Sequence, residues 1–585
     1  METGKTQQLP HLTAAIKAIN VSPSGTSYAL LLDDNSVMAL STSELVPTAV
    51  VGGLQIAGVH SRLDTDWSFN KSKELIQPIP AVANAFFPNQ IFLATPASQT
   101  IENKTLSAPF IQTFDWATGR HVSRQALARN NVTNINTAPD GTAIIEANVT
   151  LMKISHDGLW LATAEEWTPT TSNQPGEAYS LAERRETYLK FWHWDTKNNQ
   201  WMLEARIDSP HQSTTLTGAN QILDLESNPT EVGFASAGQD GIVRVWSPKT
   251  KLSDGRIVKG VNLKGVTTWL CTQLIDIGKT VDISDPDADS QFSGVPSFAK
   301  IAFSDDGSVL AVSLEDAKSI SPGLVHFIDV MSGTIRLSQP LVYGAGLAAL
   351  QFLGRHLIVL SSELRVWDMV TNRLVYGYPL KQGNLPQVWK QNLNQLNASK
   401  KYGRFIISVP VLDNSNGSRL FSRIAVFDPL DPQPYLIHEM PTIVSSLIPL
   451  DSAYGFAIID SEAEIRLVKP NVASAMDPLR LGEIMETGPV QDAIVQQAPE
   501  GNVFPDAEDN FQDDDHDDAD DSESNQSDNG RNAVVGAHNL AKIFDSSPSF
   551  ALPPVQDLFR AVASLYLGKS KTTIKQSGAV TAPKS

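Results

Sequence analysis

The sequence predicts an all-β chain whose body is a ring of seven four-stranded sheets, a β-propeller. Three observations carry that expectation. A strand–turn–strand unit recurs along the 585 residues. Its first turn repeatedly ends in Asp-Gly, a pair suited to the positive-φ positions of a tight hairpin. Its third strand repeatedly ends in a Trp or Phe, large enough to fill the gap between neighbouring sheets.

The best copies are explicit. Ser155-His156-Asp157-Gly158 leads into Leu159-Trp160-Leu161-Ala162-Thr163-Ala164, and Leu189-Lys190-Phe191-Trp192-His193-Trp194-Asp195 closes that unit. Phe234-Ala235-Ser236-Ala237-Gly238-Gln239-Asp240-Gly241 is followed by Ile242-Val243-Arg244-Val245-Trp246. Phe303-Ser304-Asp305-Asp306-Gly307 precedes Val309-Leu310-Ala311-Val312, and Leu364-Arg365-Val366-Trp367-Asp368 ends a fourth copy. The small residues of the second strands suit places where blades crowd together. With weaker copies included, units fall at 11–45, 79–125, 142–205, 212–250, 265–337, 341–377, 398–435 and 442–475. The pattern is that of a WD-repeat β-propeller, with Trp192, Trp246 and Trp367 as inter-blade plugs.

Seven of these units make one ring and the unit at 11–45 is left over. Met1-Glu2-Thr3-Gly4-Lys5 aligns with Trp116-Ala117-Thr118-Gly119-Arg120, the turn that leaves a third strand. The leftover unit is therefore expected to be the remnant last blade of an upstream propeller, poorly packed, with Ile16, Ile19, Leu30, Leu31, Val37 and Leu40 exposed. The expected divisions are 1–50 for this remnant, 76–475 for the ring, 476–535 for an acidic disordered linker, 536–568 for a helical docking motif and 569–585 for a disordered basic tail. The linker holds twelve carboxylates and no Lys or Arg between Asp506 and Asp528, so it lacks the apolar area that would offset ordering. In the docking motif Leu558, Phe559, Val562 and Leu565 follow helical spacing after Pro553-Pro554.

The net charge of −19 is concentrated in that linker, which leaves the rest of the chain mildly acidic. Nucleic acid would then be met by local basic patches rather than by a global field. Lys249, Lys251, Arg256, Lys259 and Lys264 form such a stretch, opposed only by Asp254, and are the candidate RNA-phosphate contacts on an inter-blade segment. An ordinary exposed loop is the competing reading. The single cysteine, Cys271, leaves no disulfide framework and reads as core. No apolar run is long enough to span a membrane.

Signs of catalysis were sought and fail on spacing. Gly-Lys-Thr or Gly-Lys-Ser at 4–6, 278–280 and 568–570 lacks the earlier glycine that lets backbone amides wrap phosphates. His438-Glu439 lacks a second histidine, and Pro441 would break the helix that such a metal site needs. The aspartates at 282, 285, 287 and 289 lack the closing Glu of a calcium loop. The expectation is a non-catalytic chain with no cofactor, metal or small-molecule substrate.

At 188–270 the match becomes specific. Tyr188-Leu189-Lys190-Phe191-Trp192, Ile207-Asp208-Ser209-Pro210-His211, Ser236 through Trp246, and Trp269 with Cys271 resemble the nucleolar WD-repeat subunit of the t-UTP (UtpA) subcomplex, the Net-associated nuclear protein family of fungi. Leu9-Pro10-His11-Leu12 with Asp34-Asn35-Ser36-Val37-Met38 resembles the end of that family's first propeller, and Leu552-Pro553-Pro554 with Leu558-Phe559 its C-terminal motif. The resemblance implies two tandem propellers, most of the first missing here. It also implies a nuclear, nucleolar scaffold of the small-subunit processome, supporting rRNA processing and transcription. Its partners would be other t-UTP WD-repeat subunits, pre-rRNA and the snoRNP particle. The alternative is a generic WD-repeat adaptor of another nuclear or cytosolic complex.

Overall fold

In a computed structural model the described residues are mainly 16–56, 78–96, 109–127, 146–168, 185–212, 220–250, 267–277, 296–316, 323–413, 419–451 and 455–469, apart from positions 33 and 345. Leu12 and the short strands at 252–253, 256–257 and 495–497 complete them. The acidic linker other than 495–497, the docking residues Leu558, Phe559, Val562 and Leu565, and the basic tail lie outside the described residues.

Among the described residues eight four-stranded antiparallel sheets are present, each with its strands in sequence order. Seven close a ring. The first strands of the sheets at 81–126, 148–208, 222–276, 296–339, 349–379, 395–440 and 444–497 touch in succession, and the last touches the first. These sheets are blades 1 to 7. Ile79 N–H donates to the Ser445 carbonyl across the closing seam at 2.9 Å. Apolar clusters fill the seams: Ala235, Val243 and Ile275 of blade 3 pack with Ile301, Leu310 and Ile328 of blade 4. Among the described residues the one helix, α1 (Gln387–Leu393), follows Pro386 and buries Trp389 and Leu393 with Leu412 and Leu420 of blade 6 and Ile443. No described helix is long and apolar enough to cross a membrane.

The turns work differently from the simplest reading of Asp-Gly. Gly158, Gly241 and Gly307 have φ of +72° to +73°, whereas their preceding aspartates stay out of that region. Asp157 and Asp306 instead accept the amides of Leu159 and Ser308 at 3.0 and 3.1 Å. Ser155 and Ser304 close the same turns by accepting from Trp160 N–H and Val309 N–H, each at 3.0 Å. The aspartate is thus a side-chain cap and only the glycine supplies positive φ.

A β-bulge recurs where the third strand meets the fourth, at Phe114, Trp192, Trp246, Ile328 and Trp367. It twists the sheet locally at the residue that faces the preceding blade. Two boundaries differ from expectation. Thr267–Asp276 is the outer strand of blade 3, paired to Ile242–Thr250, rather than the start of the next unit. Val495–Gln497 is the outer strand of blade 7, beyond the expected limit at 475.

The leftover unit is a sheet of four strands at 16–52 with the same bulge, at Leu40. Leu30, Leu32, Met38 and Leu40 are buried, which corrects the expected exposure of Leu30 and Leu40, and Ile16 is half-buried. Ile19, Leu31 and Val37 are exposed as expected, and so is Val51 on the outer strand. The sheet is tied to blade 1. Buried Gln112 accepts Gln55 N–H at 2.9 Å and donates to the Gly53 carbonyl at 2.8 Å. Leu54 and Ile56 join the apolar cluster at the seam of blades 7 and 1.

Candidate functional site

Blade 3 carries the most complete polar site. Its second strand, Phe234–Gly238, presents Ser236 inward, and its third strand presents Arg244 and Trp246. Trp246 Nε1–H donates to Ser236 Oγ at 2.9 Å. Ser236 Oγ lies 2.7 Å from His211 Nε2, and His211 Nδ1 lies 2.9 Å from Asp240 Oδ1. Arg244 Nη1 donates to Asp240 Oδ2 at 2.7 Å. With the serine hydroxyl donating to Nε2 and Nδ1–H to the carboxylate, the chain of bonds from Ser236 through His211 to Asp240 holds a neutral imidazole, and Arg244 Nη1 lies 2.6 Å from the same Nδ1. Burial pushes the His211 pKa down, the direction that keeps it neutral. Burial alone would raise Asp240, but hydrogen bonds and charge from His211 and Arg244 bring it below the usual carboxylate range.

Serine, histidine and aspartate in this order also make a nucleophilic triad. Here the geometry holds a blade together. Ser236 and His211 are fully buried, and the hydroxyl already accepts the indole N–H. The backbone of Gly238 comes so close that a Cβ there would lie 2.2 Å from the imidazole, so the ring is packed tightly against the second strand. His211 reaches Ser236 from the connection between blades 2 and 3, which locks the two blades in register.

Blade 2 contains a related device with an ion pair. Trp192 Nε1–H donates to Thr163 Oγ1 at 3.0 Å, and Thr163 touches Glu165. Lys190 Nζ bonds Glu165 Oε2 at 2.6 Å and the Leu127 carbonyl of the preceding connection at 2.9 Å. Burial pushes the Glu165 pKa up in spite of Lys190.

The plug residues are placed as follows. Trp192 packs with Phe92 and Ile111 of blade 1, and Trp246 with Leu189 and Phe191 of blade 2. Trp367 is only half-buried, its N–H bonded to the Val342 carbonyl between blades 4 and 5 at 2.8 Å. Trp269 completes the seam of blades 2 and 3, stacked on Phe191 at 4.1 Å. Cys271, expected in the core, is exposed on the outer strand of blade 3, at the bulge where Trp246 pairs with Cys271 and Val245 with Gln273.

The basic stretch is an excursion within blade 3, between its third and fourth strands, rather than an inter-blade segment. Lys249 is exposed at the end of the third strand. Arg256 lies on a short hairpin formed by Leu252–Ser253 and Arg256–Ile257. Lys251, Lys259 and Lys264 lie outside the described residues. Sequence reading missed the role of His211. Its signal was a histidine after a turn, 25 residues before Ser236 and 29 before Asp240. Among the described residues no group of three His, Cys, Asp or Glu is placed to hold a metal.

Comparison with known proteins extends the fold. U3 small nucleolar RNA-associated protein 17 of Schizosaccharomyces pombe (strain 972 / ATCC 24843) is 22% identical over 486 residues, 82% of this chain and 53% of that protein. WD repeat-containing protein 75 of Xenopus laevis is 24% identical over 314 residues, 53% of this chain and 29% of that protein. The chain is a WD-repeat β-propeller protein. The resemblance read at 188–270 is borne out by these matches. The WD-repeat chain spans about half the length of the first relative and less of the second. No family model matches it. A chain in a crystal structure of the mitotic checkpoint complex overlays on 70% of this WD-repeat chain, and on 97% of its own length, with TM-score 0.39 and 11% identity, a level on which nothing rests.

Proposed function

We propose that this chain is a non-catalytic scaffold of ribosome biogenesis, a nucleolar component of the small-subunit processome that binds partner proteins and nascent pre-rRNA. The observation that carries the reading is the match, over 82% of the chain, to a protein named for its association with U3 small nucleolar RNA. The ring supports it physically. Its most polar cluster is spent on locking blades together, so the chemistry left to the surface is recognition. Partners on this reading are other t-UTP WD-repeat subunits and the snoRNP particle.

The sheet at 16–52 belongs to the same reading as the last blade of an upstream propeller. It carries the blade bulge, and Leu31 and Val37 are exposed where ring blades cover Ala237 and Val243 with the next blade. An affinity pull-down of the full chain from growing cells tests the function. Co-purification of processome subunits and pre-rRNA is the expected result. Recovery of an unrelated nuclear or cytosolic complex without pre-rRNA would replace this reading with a generic adaptor.

A further inference from the structure

The turn between the first two strands of blade 6 assembles an aromatic and cationic surface beside its seam with blade 7. Gly403, at φ +69°, reverses the chain between Gln395–Ser399 and Arg404–Asp413. Tyr402 is fixed beneath it, its amide bonded to Ser399 Oγ at 3.2 Å and its ring against Phe456 of blade 7. The Arg404 guanidinium lies 3.9 Å from the Tyr435 ring centroid and 5.2 Å from that of Tyr402. Among the described residues Arg404 pairs with no carboxylate, and its one side-chain hydrogen bond is to the Tyr402 hydroxyl at 3.4 Å. Tyr435 is 36% exposed, and Lys400 and Lys401 are exposed beside it.

The nearby acids are largely committed. Asp305 pairs with Lys400 at 3.0 Å. Asp428 and Asp431 accept the amides of Leu430 and Gln433 in the adjoining turn, each at 2.9 Å. In an up-and-down blade the first-to-second and third-to-fourth connections leave from the same end. The Lys400–Arg404 turn therefore opens on the same face of the ring as Lys249 and the Arg256 hairpin.

We infer that this turn is a single-stranded RNA contact in which an unstacked base extends the Tyr435–Arg404 stack while Lys401 and Arg404 meet the flanking phosphates. The inference rests on the RNA-binding part of the function proposed above. An un-neutralised guanidinium on an aromatic face suits a base, because every base offers a π-face and single-stranded RNA is read by stacking on aromatic rings and Arg planes. An acidic peptide would need the cations but not the exposed ring.

Fluorescence anisotropy of the full chain with a dye-labelled 20-nucleotide single-stranded RNA of mixed sequence tests it. Tyr435→Leu, which keeps every charge, should weaken binding at least about fivefold, the low end of the loss of one base stack. Tyr435→Phe should bind like the parent chain. Arg404→Gln should weaken binding and lower the salt dependence by about 0.7 in log–log slope, the share of one phosphate on a single strand. Thermal melts of all three variants confirm that the ring is intact. If the parent binds and Tyr435→Leu binds equally well, the stacking site is wrong while RNA binding stands. Weakening by Arg404→Gln alone would reveal a plain anion surface, open to acidic peptides, and overturn the inference. Should the parent chain bind no RNA, both this site and the RNA-binding reading fall.

Discussion

Replacing Ser236 with alanine removes one oxygen atom from a fully buried site, so apolar-area reasoning predicts almost no effect. The hydrogen-bond network predicts otherwise. The substitution leaves Trp246 Nε1–H without its acceptor and His211 Nε2 without its donor, both in a water-excluded seam. Each buried orphan costs about 1–3 kcal/mol, so the expected loss is roughly 2–6 kcal/mol. An unfolding entropy of ~2.1 cal/mol/K per residue over a ring of some 400 residues converts this to roughly 2–7 °C in the melting midpoint. Ser408 supplies the control. It is also fully buried on the second strand of its blade, but its hydroxyl makes no hydrogen bond among the described residues. Ser408→Ala should therefore be neutral or raise stability by about 1 kcal/mol, because an unsatisfied buried hydroxyl is removed. Differential scanning calorimetry of the two variants at neutral pH reads both. Equal shifts for Ser236→Ala and Ser408→Ala would refute the claim that the network locks blades 2 and 3.

Other perturbations follow from the same interior. His326 is pushed down to about 4 by burial, and His121, His211, His356 and His438 are lowered too, with burial the largest cause. The unfolded chain takes up protons near pH 6.5 that folded His326 refuses until about 4, so stability is full above the first value and lost as pH falls through this window. His326 alone contributes about 3 kcal/mol of that slope, and denaturant unfolding of His326→Asn should show it flattened. Glu165 and Glu315, raised by burial from 4.5, work in the opposite direction: their contribution is lost as pH rises through their folded pKa, which offsets part of the histidine slope. Lys190→Met strands the buried Glu165 charge and should cost about 3–5 kcal/mol at pH 8, less at acidic pH where the carboxyl protonates; a pH-independent cost would contradict the ion pair. Deleting 550–568 should abolish a partner contact in pull-downs without moving the melt of the ring, and a lowered melt would show that the segment packs on it.

Much of the ring was legible because a blade repeats its chemistry locally. Asp157-Gly158 and Asp306-Gly307 mark turns, Ala235 and Ala237 mark crowded strands, and Trp192 and Trp246 mark seams, all within a few residues of one another. What the sequence hid depends on distance along the chain. The outer strand of blade 3 returns only after the 251–266 excursion, so its Thr267–Asp276 pattern reads as the opening of the next unit. The outer strand of blade 7 lies still farther from its partner, Ile465–Val468. His211 was visible as a residue but not as a role, because its partners sit 25 and 29 positions away on another blade. Cys271 was misplaced because Trp269 and Leu270 look like core, yet only Trp269 is buried and the outer strand bulges directly after Cys271. In the basic stretch, charge density alone suggested an interface, whereas Arg404 became a candidate only when folding set it against Tyr435.

The central claim is that this ring serves small-subunit ribosome assembly. Rapid depletion of the protein from growing cells, followed by pulse-labelling of newly made rRNA, tests it most directly. The account predicts an early fall in small-subunit rRNA with large-subunit species initially spared. Unchanged synthesis of both after complete depletion would contradict it.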